Sequence, residues 1–177
     1  MRKNFDAALK AVLISEGGYV NDPRDPGGAT CKGVTQAVYD AFRKRAGSPT
    51  RSVRLIGPEE LAAIYRFQYW DLIKGDALPS GVDYAVFDFA VNSGVVRAAK
   101  YLQRALGVTA DGAIGNITVH AAESSDRAGI INAICNARIA FLKKARHPKT
   151  GALLWPTYGG GWQKRVDKVR AAALAMK

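Results

Sequence analysis

The sequence is poor in the residues from which metal and cofactor sites are usually built. Its 177 residues include two cysteines and two histidines. Cys31 and Cys135 stand far apart, which excludes a disulfide-dense scaffold and leaves two buried free thiols as the expectation. His120 and His147 lie in unrelated contexts, and no spacing resembles a zinc or P-loop site, so the expected chemistry uses neither metal nor cofactor. Long apolar runs are also missing: nothing approaches the ~18 residues of a membrane span. The first residues, MRKNFDAALKAVLISEGGY, start basic, but Asp6 and Lys10 interrupt the apolar run and no small-residue cleavage motif follows. We therefore expect synthesis in the cytoplasm without a signal peptide, and any action outside to depend on separate release. Acid is scarce too. Fifteen Asp and Glu face 26 Lys and Arg, a formal net charge of +11. Such a surface is drawn to polyanions, whether nucleic acid, anionic lipid or an anionic cell envelope. The chain shows neither an RNP-like sheet motif nor a C2H2 pattern, so no specific nucleic-acid partner is expected.

What is present is helical periodicity. Phe5, Leu9, Val12 and Leu13 share one face of a predicted helix over 3–15, which should stop before Gly17 and Gly18. Thr35 is placed to cap QAVYDAFRKRAG, and Pro58 to open GPEELAAIYRFQYWDLIKGDAL as one helix. Val82, Ala85, Val86, Phe89 and Ala90 repeat at buried-helix spacing. VVRAAKYLQRALG follows and closes at Gly107; a turn and a short helix lead to a long helix from about 126 to 145. Residues 146–161 read as loop and 162–175 as a last helix. Strand character is confined to 19–21 and 30–34, around a Pro/Gly turn. The expected fold is mainly α with one small β-hairpin. GDALPSG, residues 75–81, divides it into lobes of 1–80 and 81–177 that pack as one unit.

The stretch ISEGGYVNDPRDPGGATCKGVT, residues 14–35, has a chemical logic. Glu16 falls at a helix C-terminus, where the helix dipole disfavours negative charge. Asp22 and Asp25 follow, each before a proline, in a turn rich in glycine. A carboxyl group at a helix end facing a second carboxylate across a tight hairpin suits glycosidic bond cleavage. One acid protonates the leaving oxygen while the other carboxylate serves water or the oxocarbenium ion. Glu16 is the candidate acid, Asp25 the candidate second carboxylate with Asp22 the alternative, and Thr30 the candidate for placing water. Each has a plainer reading: a solvated helix end, Asx turns before proline and a simple strand residue. Trp70 reads as core. Trp155 and Trp162 stand near loops where an indole face suits a pyranose ring. Arg43, Lys44 and Arg45 read as a solvated face.

EGGYVNDPRDPGGATCKGVT resembles the signature of glycoside hydrolase family 108, which includes phage endolysins and bacterial N-acetylmuramidases. The order Glu16, Asp25, Thr30 is similar to the Glu/Asp/Thr set of phage-type lysozymes, with the threonine one residue earlier. DYAVFDFAVNSG, AAKYLQRALGVTADGAIGNIT and GWQKRV resemble the peptidoglycan-binding region that accompanies the family. Its pattern falls on Leu102, Gln103, Leu106, Gly107, Asp111, Gly112, Gly115 and Thr118, although NITV replaces the Pro-x-Thr step often found there. The resemblance implies a lysozyme-like helical fold with the hairpin beside an active-site cleft, and a muramidase cutting the β-1,4 bond between N-acetylmuramic acid and N-acetylglucosamine. Glu16, Asp25 and Thr30 would then be catalytic, with Tyr19, Asn92, Ser93 and Trp162 contacting substrate. It implies peptidoglycan and an anionic envelope as partners, a phage or prophage setting with a holin for release, and lysis of bacteria. Two rival functions are a lytic transglycosylase, which would dispense with Asp25, and a non-catalytic wall-binding or secretion-accessory protein. Retention or inversion depends on a carboxyl separation that sequence does not supply.

Overall fold

Apolar residues recur at helical spacing along most of the chain, and helix is what they form. The computed structural model describes residues 3–21 and 28–177. Among these are eight α-helices and a three-stranded antiparallel sheet, so the protein is mainly α with a small β element. No helix among them is long and apolar enough to cross a membrane. The chain divides into two units, Asp6–Gln68 and Tyr69–Lys177 with Met1–Phe5.

In the first unit, Ala8, Leu9 and Val12 of α1 (Lys3–Leu13) are buried at helical spacing. The helix ends two residues short of the predicted 15, and Ile14 beyond it is 80% exposed. Next come β1 (Tyr19–Val20), β2 (Thr30–Cys31) and β3 (Val34–Thr35). Tyr19 pairs with Cys31 and Val20 with Thr30; Cys31 pairs in turn with Val34. The expected single strand over 30–34 is therefore two strands, folded back at Lys32–Gly33. Both turn residues have positive φ, 48° and 77°, the sign pattern of the tight hairpin turn whose twist matches its strands. Thr35 then caps α2 (Gln36–Arg45), accepting from the Val38 N–H at 3.3 Å. Pro58 opens α3 (Pro58–Tyr65), but this helix gives way to a π-helical turn, Arg66–Trp70, where one continuous helix was expected. Arg43 is not merely solvated: it bonds the Pro49 carbonyl and Glu60, while Arg45 lies over the Phe67 ring at 4.5 Å.

The second unit is a helical bundle. Trp70 is fully buried between Phe5 and Phe87, with ring centroids 5.3 Å away on each side. Its indole N–H bonds Asp76 at 3.0 Å, which satisfies the one polar atom such a side chain brings into a core. Nearly every residue of α4 (Val82–Ser93) up to Ala90 is buried, because it packs against α5 (Val95–Ala105), α7 (Arg127–Lys143) and α8 (Trp155–Ala175). A short α6 (Asn116–Ser124) packs on α7, which Asp126 caps by accepting from the Ala128 and Gly129 N–H groups. The last helix starts seven residues before the predicted 162, and so runs through Gly159–Gly161. Glycine's low helix propensity is overridden there by packing: a Cβ on Gly159 would lie 2.6 Å from the Trp155 ring. Cys31 and Cys135 are both buried and free.

Candidate active site

Of the first unit's candidate residues, Glu16 borders the tight turn, and Tyr19 and Thr30 lie on the strands. After α1, the Ser15 and Glu16 N–H groups bond Val12 and Leu13 carbonyls at 2.9 and 3.3 Å. These bonds tighten the helix end and leave Glu16 half-buried on the bend leading into β1. The Glu16 carboxylate borders Gly33, where an added Cβ would sit 3.2 Å from its Oε2 and 2.5 Å from the Tyr65 hydroxyl. That hydroxyl donates to the Lys32 carbonyl at 2.8 Å, fixing the hairpin turn to α3. Glycine at 33 thus meets two needs, a positive φ and room for an acid and a phenol to converge. Among the described residues no atom lies near Gly17 or Gly18 where a side chain would project.

Thr30 lies on β2, its hydroxyl bonding the Gly28 carbonyl at 3.3 Å. Tyr19 on β1 is 39% exposed, with the Arg54 guanidinium over its ring at 5.5 Å. Asp22 and Asp25 lie outside the described residues. Sequence reasoning missed Tyr65 and Gly33. The dipeptide Lys-Gly between two strand-forming pairs was a usable turn signal for Gly33, whereas nothing in the sequence sets Tyr65 apart from its apolar helix.

Glu60 shows what a glutamate unsuited to proton donation looks like. It accepts from the Tyr39 hydroxyl at 2.6 Å, Arg51 at 2.9 Å and the Gly57 N–H at 3.0 Å, and it pairs with Arg43. Burial pushes its carboxyl up, but the hydrogen bonds from Tyr39, Gly57 and Arg51 and the Arg51 charge outweigh this and hold it at about 2. It is ionised at neutral pH.

The second unit holds the other candidates in two places. Asn92 and Ser93 end α4, the Ser93 hydroxyl donating to the Asn92 side-chain oxygen at 2.9 Å. Trp162 is helical, as expected, but lies inside α8 because the helix starts earlier, at Trp155; it is stacked on the 53% exposed Tyr158 at 5.7 Å and tilted against Trp155 at 6.3 Å. Among the described residues no group of three or more His, Cys, Asp or Glu side chains gathers as a metal site would.

The Leu102–Thr118 pattern resolves into a buried clasp. The Gln103 side-chain amide donates to Asp111 at 2.6 Å, the Ala113 carbonyl at 3.1 Å and Thr118 at 3.3 Å, while its oxygen accepts from the Gly112 N–H at 2.8 Å. Likewise Asp88 of DYAVFDFAVNSG, itself 1% exposed, bonds Arg138 at 2.5 Å and Arg165 of GWQKRV at 2.8 Å. These residues hold the bundle together.

The family model for glycosyl hydrolase 108 matches residues 9–94, and one described as a predicted peptidoglycan domain matches 97–167. The solved structure of Brucella abortus SagA is 41% identical over 99% of this chain and 96% of that one, with a TM-score of 0.79. No curated protein matches the chain. The irregular stretch around Glu16 lies within the hydrolase match and the Gln103 clasp within the other. The chain belongs to the glycosyl hydrolase 108 family and is a peptidoglycan hydrolase, its hydrolase region followed by a peptidoglycan-binding domain.

Proposed function

We propose that the chain is an N-acetylmuramidase, cutting the β-1,4 bond between N-acetylmuramic acid and N-acetylglucosamine. The observation that carries this is the meeting of the Glu16 carboxylate, the Lys32–Gly33 turn and the Tyr65 hydroxyl. Glu16 donates its proton to the glycosidic oxygen as the bond breaks. Asp25 stabilises the oxocarbenium ion or activates water, and Thr30 places that water. Tyr65 is a positioning residue, keeping the turn in register under the acid. Tyr19, Asn92, Ser93 and Trp162 contact the glycan. Made in the cytoplasm and released by a holin, a phage or prophage enzyme of this kind would act in the periplasm or wall and lyse the cell.

Glu16→Gln keeps the shape and removes the proton. Clearing of purified sacculi should fall by about 10²–10⁴-fold, the usual worth of general acid catalysis, with the fold unchanged. Activity within a few-fold of wild type removes Glu16 from the reaction. Mass spectrometry of the released fragments tests the bond: reducing N-acetylmuramic acid ends support a muramidase, reducing N-acetylglucosamine ends a different glycosidase, and anhydro ends a transglycosylase.

A further inference from the structure

Four arginines have acidic partners: Arg43 and Arg51 pair with Glu60, and Arg138 and Arg165 with Asp88. Three cations of α5 are instead clustered without one. Arg97, Lys100 and Arg104 stand at i, i+3 and i+7, on one face of the helix, and none forms an ion pair among the described residues. Together with Ser93, Val96 and Tyr101 they line a groove of about 490 Å³, with no acidic side chain among its described walls. The two arginines are braced: Arg97 lies over the Phe141 ring at 4.5 Å and donates to the Ser93 carbonyl at 2.9 Å, and Arg104 lies over Tyr101 at 5.3 Å. Like charges at this spacing repel one another. They share a concave surface with no acidic partner among the described residues, which suits them to receive an anion from a ligand.

We propose that this groove binds the carboxylates of the peptide stems of peptidoglycan, an inference that rests on the wall-hydrolase reading above. The glycan strand's hydroxyls and acetamides are neutral, so the stem carboxylates are the anionic groups this polymer offers. Seven residues of helix separate Arg97 from Arg104 by about 10 Å along the axis, the rise of about three residues of extended peptide. Two carboxylates along one stem match that span. Arginine forks suit bidentate carboxylate contacts, and the neighbouring Ser93 hydroxyl adds a neutral polar group. Sequence reasoning had taken the net charge as a general attraction to an anionic envelope; the groove gives part of it a specific use.

The test measures dissociation constants of the full-length protein at about 0.15 M salt, where long-range attraction is screened. The probes are a disaccharide–tetrapeptide muropeptide, the same muropeptide with its carboxylates amidated, and inorganic phosphate. Wild type should bind the free-acid form about tenfold more tightly than the amidated form, on the scale of one charge-assisted hydrogen bond. Arg97→Gln with Arg104→Gln should abolish that ratio and leave the amidated form's affinity unchanged. Equal affinity of wild type for the two muropeptides overturns the proposal without touching the hydrolase reading, and needs no variant to fold. Phosphate bound as tightly as the free-acid muropeptide also overturns it. Failure to bind or cleave sacculi at all removes the hydrolase reading, and this inference with it.

Discussion

Each unit carries a sequence pattern that stands out, and the two patterns do opposite work. Along the described part of residues 14–35 the pattern lies on turns and three two-residue strands, where no described atom crowds Gly17 or Gly18 and Glu16 is half-buried beside a turn. In the second unit the pattern is anchored in the core: Gln103 and Asp88 are each 1% exposed and each makes several hydrogen bonds, while Gly107, Asp111 and Gly115 of the same pattern lie at the surface. A distinctive pattern on a loop points to chemistry, because backbone there is free of packing demands. The same degree of distinctiveness in a core points to architecture. The groove on α5 draws Ser93, Lys100, Tyr101 and Arg104 from the same matched segments and uses none of the residues in the Gln103 clasp.

The strongest way to break this comparison is to exchange the expected losses. Asp88→Ala removes the carboxylate shared by Arg138 and Arg165 and leaves Arg138, 2% exposed, with no counter-ion. Breaking a buried pair from one side costs about 3–5 kcal/mol, which a denaturant titration of the full chain would show as a lowered midpoint. Glu16→Gln should leave that midpoint in place. If Asp88→Ala instead keeps its stability and loses wall binding, the buried triad has been misread as scaffold.

Gly33→Ala probes the loop pattern, with a smaller expected effect. The new Cβ would need a φ of 77° and would sit 2.5 Å from the Tyr65 hydroxyl. Strain of this kind costs about 1–3 kcal/mol, and activity should fall because the Glu16 carboxylate is the next nearest group. Tyr65→Phe alone loses the bond to the Lys32 carbonyl, about 1 kcal/mol, but clears the space the Cβ needs. The double variant should therefore lose less than the sum of the two, in both melting temperature and clearing rate. Additive losses would show that the turn and the phenol do not act together.

The sequence made helices legible wherever local chemistry and packing agreed. The Thr35 cap, the Pro58 start, the Asp126 start and the stop near Gly107 each rest on one residue whose backbone preference is strong. Where packing overrode propensity, the reading went astray. Residues 155–161 look like loop because of three glycines, yet Gly159 is the residue that lets the Trp155 ring lie against the helix. The π-helical turn at Arg66–Trp70 has no local signature, and it ends at an indole that is fully buried. In the candidate site, Glu16 and Thr30 stand out in the sequence because they flank a run of turn residues. Tyr65 and the α5 cations do not: Tyr65 reaches the turn from 33 residues away, and an unpaired charge looks in sequence like any solvated one.

The smallest effect separates two glutamates of one unit. Glu60 has a carboxyl held at about 2, against an ordinary 4.5, because its hydrogen bonds and the Arg51 charge outweigh the cost of burial. Its folded form binds a proton less readily than the unfolded chain does. The stability it supplies is therefore complete above pH 4.5, and drains away as pH falls from there through about 2. With its side chain 21% exposed, the neutral-pH contribution of each ion pair stays within about 1 kcal/mol. Glu60→Gln should lower the denaturation midpoint slightly at neutral pH, by an amount constant down to about pH 5 and shrinking below pH 4.5. Sacculus clearing at neutral pH should persist, since Glu60 anchors Tyr39, Arg43 and Arg51 rather than facing the Glu16 turn. A stability gap that widens in acid would reverse the sign of this argument. A loss of clearing as large as that of Glu16→Gln, in a folded variant, would mean that the proton donor had been assigned to the wrong glutamate.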